Sequence, residues 1–175
     1  MYLTKNFFFI IIFLVLCSNP IKAEDKVSYI DIDYVLTNTI VGKELLNILK
    51  KEEEIKINKF KSDEDNFKKE EDLILAKKNL ISKEEVEKEL KLLQIKFRKY
   101  RNEKIKEIDD LKVKRNRNIV NFLSLINPII EKYMTDNSIY MLIDKKNVFI
   151  ANNDYDITKK LIERIDNQIK TIEIK

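Results

Sequence analysis

Asp31 and Asp33 stand two residues apart, at the end of the β-branched and aromatic run Val27-Ser28-Tyr29-Ile30. On a strand that spacing puts both carboxylates on one face, where they could act as an acid–base pair or hold a cation. The plainer reading is a strand end followed by a helix cap, with Asp33 capping a short helix over Tyr34-Val35-Leu36. The plainer reading carries more weight, because other catalytic equipment is lacking. The chain has no His and no Trp, and its one Cys is Cys17. Once an export signal is removed, the usual general base and the thiol nucleophile are both missing. Gly42 is the only glycine, which excludes a glycine-rich phosphate loop. The acidic groups Asp63-Glu64-Asp65, Glu70-Glu71-Asp72 and Asp109-Asp110 lie among lysines and read as solvated helix faces. No enzyme, metal or cofactor is expected.

Two other residue classes suggest binding. Basic clusters stand at Arg98, Lys99 and Arg101 and at Lys112, Lys114, Arg115 and Arg117. Between Lys43 and Arg117 there are 23 Lys and Arg against 18 Asp and Glu, a local charge of +5 on a chain of +4 overall. Such a field keeps helices soluble, and it also attracts acidic or anionic partners. Nucleic acid is not expected, since no groove-reading or base-stacking pattern is present. Apolar residues recur thinly through the same region: Phe60, Phe67 and Ile74, then Phe97 and Tyr100. They read first as the seam of a helix pair, and second as weak, scattered contacts for an unfolded chain. Leu80 and Ile81 fall at a turn with no partner helix to cover them.

The elements that must position these residues follow from periodicity. Phe7–Leu16 is a run of 10 apolar residues after Lys5, too short to span a bilayer. With Ala23 as the small residue before a cleavage site, residues 1–23 read as a signal peptide. Cys17 raises a rival lipid-anchor reading, which Leu16 in front of it disfavours. From Lys43 to Lys78 there is no Gly and no Pro, which predicts a helix of about 54 Å. Ser82 and Glu85 form a capping-box pattern that starts a second helix, running to about Asp136. Its apolar steps alternate three and four until Tyr100, then jump through Lys104 to Ile108, a stutter in the seam. Pro128 is expected to kink this helix. So short a break forces the two helices antiparallel. The hairpin occupies 43–136, with its tip near 79–82.

Strands are expected at Val27–Asp31, Ile139–Ile143 and Val148–Ala151, the last two joined by a hairpin turn at 144–147. Asp156 should cap a last amphipathic helix. The base then comprises 24–42 and 137–175. It is small and has open sheet edges, which oligomerisation would cover. The residues offered for that contact are Val27, Tyr29, Ile139, Met141, Ile143, Val148 and Ile150.

The order of elements resembles the Skp (OmpH-like) periplasmic chaperones. The resemblance is carried by Lys26–Asp31 at the front and by Ile139–Asp144, Asn147–Asn152 and Asp156-Ile157-Thr158 at the back. It implies a mainly α protein with a small β body, in which strands of three chains form one barrel and the hairpins form three tentacles. It also implies an ATP-independent holdase in the periplasm that keeps unfolded outer-membrane proteins in the cavity between the arms. Lipopolysaccharide or an anionic membrane surface is a further partner class. A structural or adaptor coiled-coil protein of the envelope is the competing expectation.

Overall fold

The computed structural model describes residues 26–173, so the signal peptide expected at 1–23 lies outside the described residues. Strand β1 (Lys26–Ile30) leads into helix α1 (Ile32–Asn38) and then α2 (Ile40–Ala76). A 3-10 turn at Lys77–Asn79 precedes α3 (Lys83–Asp136). Strand β2 (Ile139–Asp144), two further 3-10 turns and α4 (Thr158–Gln168) complete the chain. At 1.5 Å per residue, α2 is about 55 Å long and α3 about 80 Å.

Each helix start has a local cause. Asp31 is extended and its side chain accepts the Tyr34 N–H at 2.9 Å. Asp31 is therefore the cap of α1, not Asp33 as expected; the strand ends one residue earlier than the pattern suggested. Thr39 caps α2 by accepting from Gly42 N–H at 3.2 Å. The Ser82–Glu85 capping box forms in both directions, at 3.2 and 3.1 Å. Helix α3 runs unbroken through Pro128. Asp156 accepts the Thr158 N–H at 2.9 Å at the head of α4. After α3, Ser138 takes a left-handed φ of 54° to turn the chain into β2.

The α2–α3 hairpin is the long crossover that parallel strands require. It returns the chain to its starting end, and β2 pairs parallel to β1, with Val27 opposite Met141 and Tyr29 opposite Ile143. The strand expected at Val148–Ala151 does not form, and neither does its hairpin. Lys145–Asn147 folds as a 3-10 turn, with Asp144 accepting the Lys146 N–H at 3.1 Å. The chain closes on itself there, with the Val148 N–H donating to the Lys145 carbonyl at 3.1 Å, and 148–151 makes no ladder with β1 or β2. The far side of β1 is met instead by the Asn153–Tyr155 turn, and Ile157 N–H donates to the Tyr29 carbonyl at 3.1 Å.

The main core sits where the foot of the arm meets the base. Val35, Val41, Leu45, Phe122, Ile126, Leu161 and Ile165 are fully buried there. Burial of each such side chain stabilises by about 1.5–3 kcal/mol. A second cluster, Ile74, Val86 and Leu93 with Phe67, Ile81 and Leu90 packed on it, closes the far end of the arm. Among the described residues, no helix is long and apolar enough to cross a membrane.

Candidate functional site

The arm changes character along its length. Beyond the tip cluster, Phe67, Phe97 and Tyr100 form an aromatic knot with ring centroids 5.2–6.0 Å apart. The Tyr100 hydroxyl donates to the Phe60 carbonyl at 3.0 Å and meets Glu64 Oε1 at 3.2 Å. Burial first, and the nearby Glu64 charge second, push the Tyr100 phenol up to about 12. Lys104 Nζ reaches the same Glu64 oxygen at 2.6 Å and lies 5.4 Å from the Phe60 ring centroid. That Lys104 hydrogen bond is the main reason the Glu64 carboxyl is held below its ordinary value.

Below the knot the seam becomes ionic. Lys56 pairs with Glu107 at 2.7 Å, Lys59 with Glu107 at 3.7 Å, and Lys114 with Glu52 at 2.7 Å. Charged side chains are too long and too well solvated to close a helix seam as leucines do. A cleft of about 420 Å³ therefore opens on one flank, floored by Leu49, Ile57, Phe60, Ile108 and Leu111. A smaller opening lies on the other flank, beside Ile55 and Leu111. The floor resumes at the foot of the arm with Asn118, fully buried, whose amide donates to the Lys114 carbonyl at 2.9 Å.

The residues proposed to contact an unfolded chain divide by exposure. Phe60, Ile74 and Tyr100 are buried in the seam, and Phe67 and Ile81 are half-buried. Phe97 is 39% exposed and Leu80 at the tip is 82% exposed. Of the basic residues, Arg98, Lys99, Arg101, Lys112, Arg115 and Arg117 are exposed, while Lys114 is half-buried in its ion pair. Sequence reasoning missed the cleft. Its signal was present in the stutter through Lys104 and in charged residues at seam positions.

Asp31 and Asp33 do not act together. Asp31 N–H donates to Thr158 Oγ1 at 2.9 Å, and Lys145 Nζ lies 3.7 Å from Asp31 and 3.9 Å from Asp156. Asp33 pairs with Lys146 at 2.7 Å, a hydrogen bond that raises the Lys146 ammonium above its ordinary value. Among the described residues no group of His, Cys, Asp and Glu is placed to hold a metal ion.

The family model of OmpH-like outer membrane proteins matches residues 26–165. The chain belongs to the OmpH-like family. A similar solved structure is that of a Caulobacter crescentus protein described as an OmpH-like outer membrane chaperone. It aligns with a TM-score of 0.76 at 20% identity, over 84% of this chain and 87% of that one. At this identity the likeness speaks for the fold. A search of curated proteins finds no match.

The base of this OmpH-like chain leaves an apolar face uncovered. Phe149 is fully exposed and Ile150 is 86% exposed. Val27, Tyr140, Met141 and Tyr155 of the base are exposed as well, and Val27, Ile150 and Tyr155 line one recess. Among the residues expected at an oligomer contact, Tyr29 and Ile139 are already buried within the chain, whereas Ile143 and Val148 are half-buried.

Proposed function

We propose that this protein is an ATP-independent periplasmic holdase for unfolded outer-membrane proteins. The observation that carries the reading is the arm itself: an OmpH-like helical hairpin with a thin apolar seam, exposed apolar residues at its tip and flanks, and excess positive charge. Holding a client without folding it requires contacts that are numerous and individually weak. Leu80, Ile81 and Phe97 supply apolar contact, and Arg98, Arg101, Arg115 and Arg117 draw acidic stretches inward. Phe60, Phe67, Ile74 and Tyr100 become available wherever the seam opens. The description of the Caulobacter relative as an outer membrane chaperone agrees with this reading.

In this proposal the protein works as a homotrimer. Residues 24–42 and 137–175 form the body, 43–136 forms the arm, and residues 1–23 direct export. The segment Val148–Ala151, unpaired in one chain, is the natural strand to add to a neighbour's sheet. Phe149 and Ile150 would then be covered. The positive arms also suit lipopolysaccharide or an anionic membrane surface.

The test is light scattering from a denatured porin diluted into buffer. A molar excess of trimer is expected to suppress its aggregation without ATP. Unchanged scattering, together with tight binding to one folded envelope protein, would instead identify a structural adaptor.

A further inference from the structure

The cleft in the middle of the arm lies between α2 and α3. Its floor spans Leu49 to Phe60 on α2 and faces Lys104 to Arg115 on α3. Eleven steps of helix make that floor about 16 Å long. An extended chain of about five residues has the same length. Ile57 and Ile108 are 54% and 36% exposed, so apolar surface is already displayed without unfolding the arm. The volume of about 420 Å³ falls in the range of sites that bind small ligands.

The rim decides which segment fits. Five cations and three carboxylates line the cleft. Two of the carboxylates are engaged: Glu52 by Lys114 at 2.7 Å and Glu64 by Lys104 at 2.6 Å. Lys61 and Arg115 form no ion pair among the described residues, and Lys112 makes only an exposed contact of 3.3 Å to Asp109. The field over the apolar floor is therefore positive.

We infer that this cleft seats an extended polypeptide segment with apolar side chains at alternate positions and carboxylates between them. In an extended chain alternate side chains point the same way. When the apolar set enters the floor the acidic set faces outward, where the long side chains of Lys61, Lys112 and Arg115 at the rim can reach over to meet it. Membrane β-strands alternate apolar with polar residues, and those whose polar residues are acidic would fit; the inference rests on the holdase reading and assigns it a discrete station on each arm.

Fluorescence anisotropy of the purified protein tests it, with two labelled peptides of about nine residues. Both alternate Phe and Val with a charged residue, Asp in one and Lys in the other. The Asp peptide is expected to bind saturably and better than the Lys peptide. Replacing Ile57 and Ile108 together by Asp should weaken it by about tenfold or more. Arg115→Glu should weaken the Asp peptide alone. Val113→Asp, at an exposed position outside the cleft lining, should change nothing. Helical circular dichroism confirms that each variant is folded. Equal binding of the two peptides, indifference to the Ile57 and Ile108 changes, or binding of dodecanoate with neither peptide overturns the inference. Porin scattering measured on the same variants separates the two ideas. Suppression that persists while peptide binding ignores the cleft removes the station and keeps the holdase. Cleft-dependent peptide binding without suppression keeps the station and removes the holdase.

Discussion

Tyr100 is the residue on which the middle of the arm depends. Its hydroxyl ties α3 to the Phe60 carbonyl of α2, and its ring completes the aromatic knot. Tyr100→Phe keeps the ring and deletes the bond, so a loss of about 1 kcal/mol is expected, measured by urea denaturation followed by helical circular dichroism. The pH dependence has a definite sign at both ends. A raised phenol favours the neutral form in the folded arm. Its stabilisation is complete below the ordinary value of 10.0 and is lost as pH climbs through about 12. Tyr100→Phe should abolish that alkaline step. Glu64 and Glu107 are shifted the other way, by hydrogen bonds from Lys104 and Lys56. Their contribution is present above the ordinary carboxylate value of 4.5 and is lost as pH falls through the lowered one. An acid titration of arm helicity should show a step at that end in both wild type and Tyr100→Phe. Glu64 is exposed and Glu107 half-buried, so high salt should shrink the acid step.

At the scale of elements, the ends of the helices determine the shape of the hairpin. Ser82→Ala removes the side-chain half of the capping box, the acceptor of the Glu85 N–H, while the backbone N–H of residue 82 still donates to the Glu85 carboxylate; the loss should be about 1 kcal/mol, read from the same denaturation. The joint between α1 and α2 is less forgiving. A Cβ on Gly42 would collide with the Leu36 carbonyl oxygen and stand 2.7 Å from Thr39 Oγ1 and 2.8 Å from the Leu36 carbonyl carbon. These are backbone and cap atoms that cannot move aside. Gly42→Ala is therefore expected to destabilise by about 2–3 kcal/mol, despite Ala being the better helix former. The loss should appear in the melting of the base rather than in peptide binding at the arm. Seen this way, the lone glycine is kept for a close approach of two backbones, not for a turn.

The whole molecule presents two surfaces of different character. The arm displays charge and scattered apolar residues over most of its length. The base concentrates apolar exposure at Phe149, Ile150 and Met141. The single chain already buries a core around Phe122 and Leu161, so oligomerisation is not needed to create that core. In the proposed trimer it would cover the exposed apolar residues of the base. Phe149→Asp with Ile150→Asp should leave the base folded, because neither side chain is buried within the chain. Sedimentation equilibrium is expected to report a trimer for the wild type and a monomer for the double variant. Porin protection should fall with the trimer, since separate arms cannot enclose a client.

Much of this architecture was legible in the chain itself. The two long helices, the Ser82–Glu85 start and the antiparallel return follow from local causes: the absence of Gly and Pro, a side chain in reach of its own backbone, and a break too short for any other path. Periodicity also marked the weak point of the seam, where Lys104 stands between Tyr100 and Ile108. Three features needed the tertiary structure. Which aspartate caps α1 depended on where β1 stops, and that is set by its parallel pairing with a strand more than a hundred residues away. The fate of Val148–Ala151 depended on the path of the chain after the Lys145–Asn147 turn, because β-propensity forms no strand without a partner. The cleft depended on how far ionic side chains hold two helices apart, a distance that a list of seam residues does not contain. Local interactions wrote the arm into the sequence; the strand partners and the opening in the seam are properties of segments far apart in the chain, and only the fold brings them together.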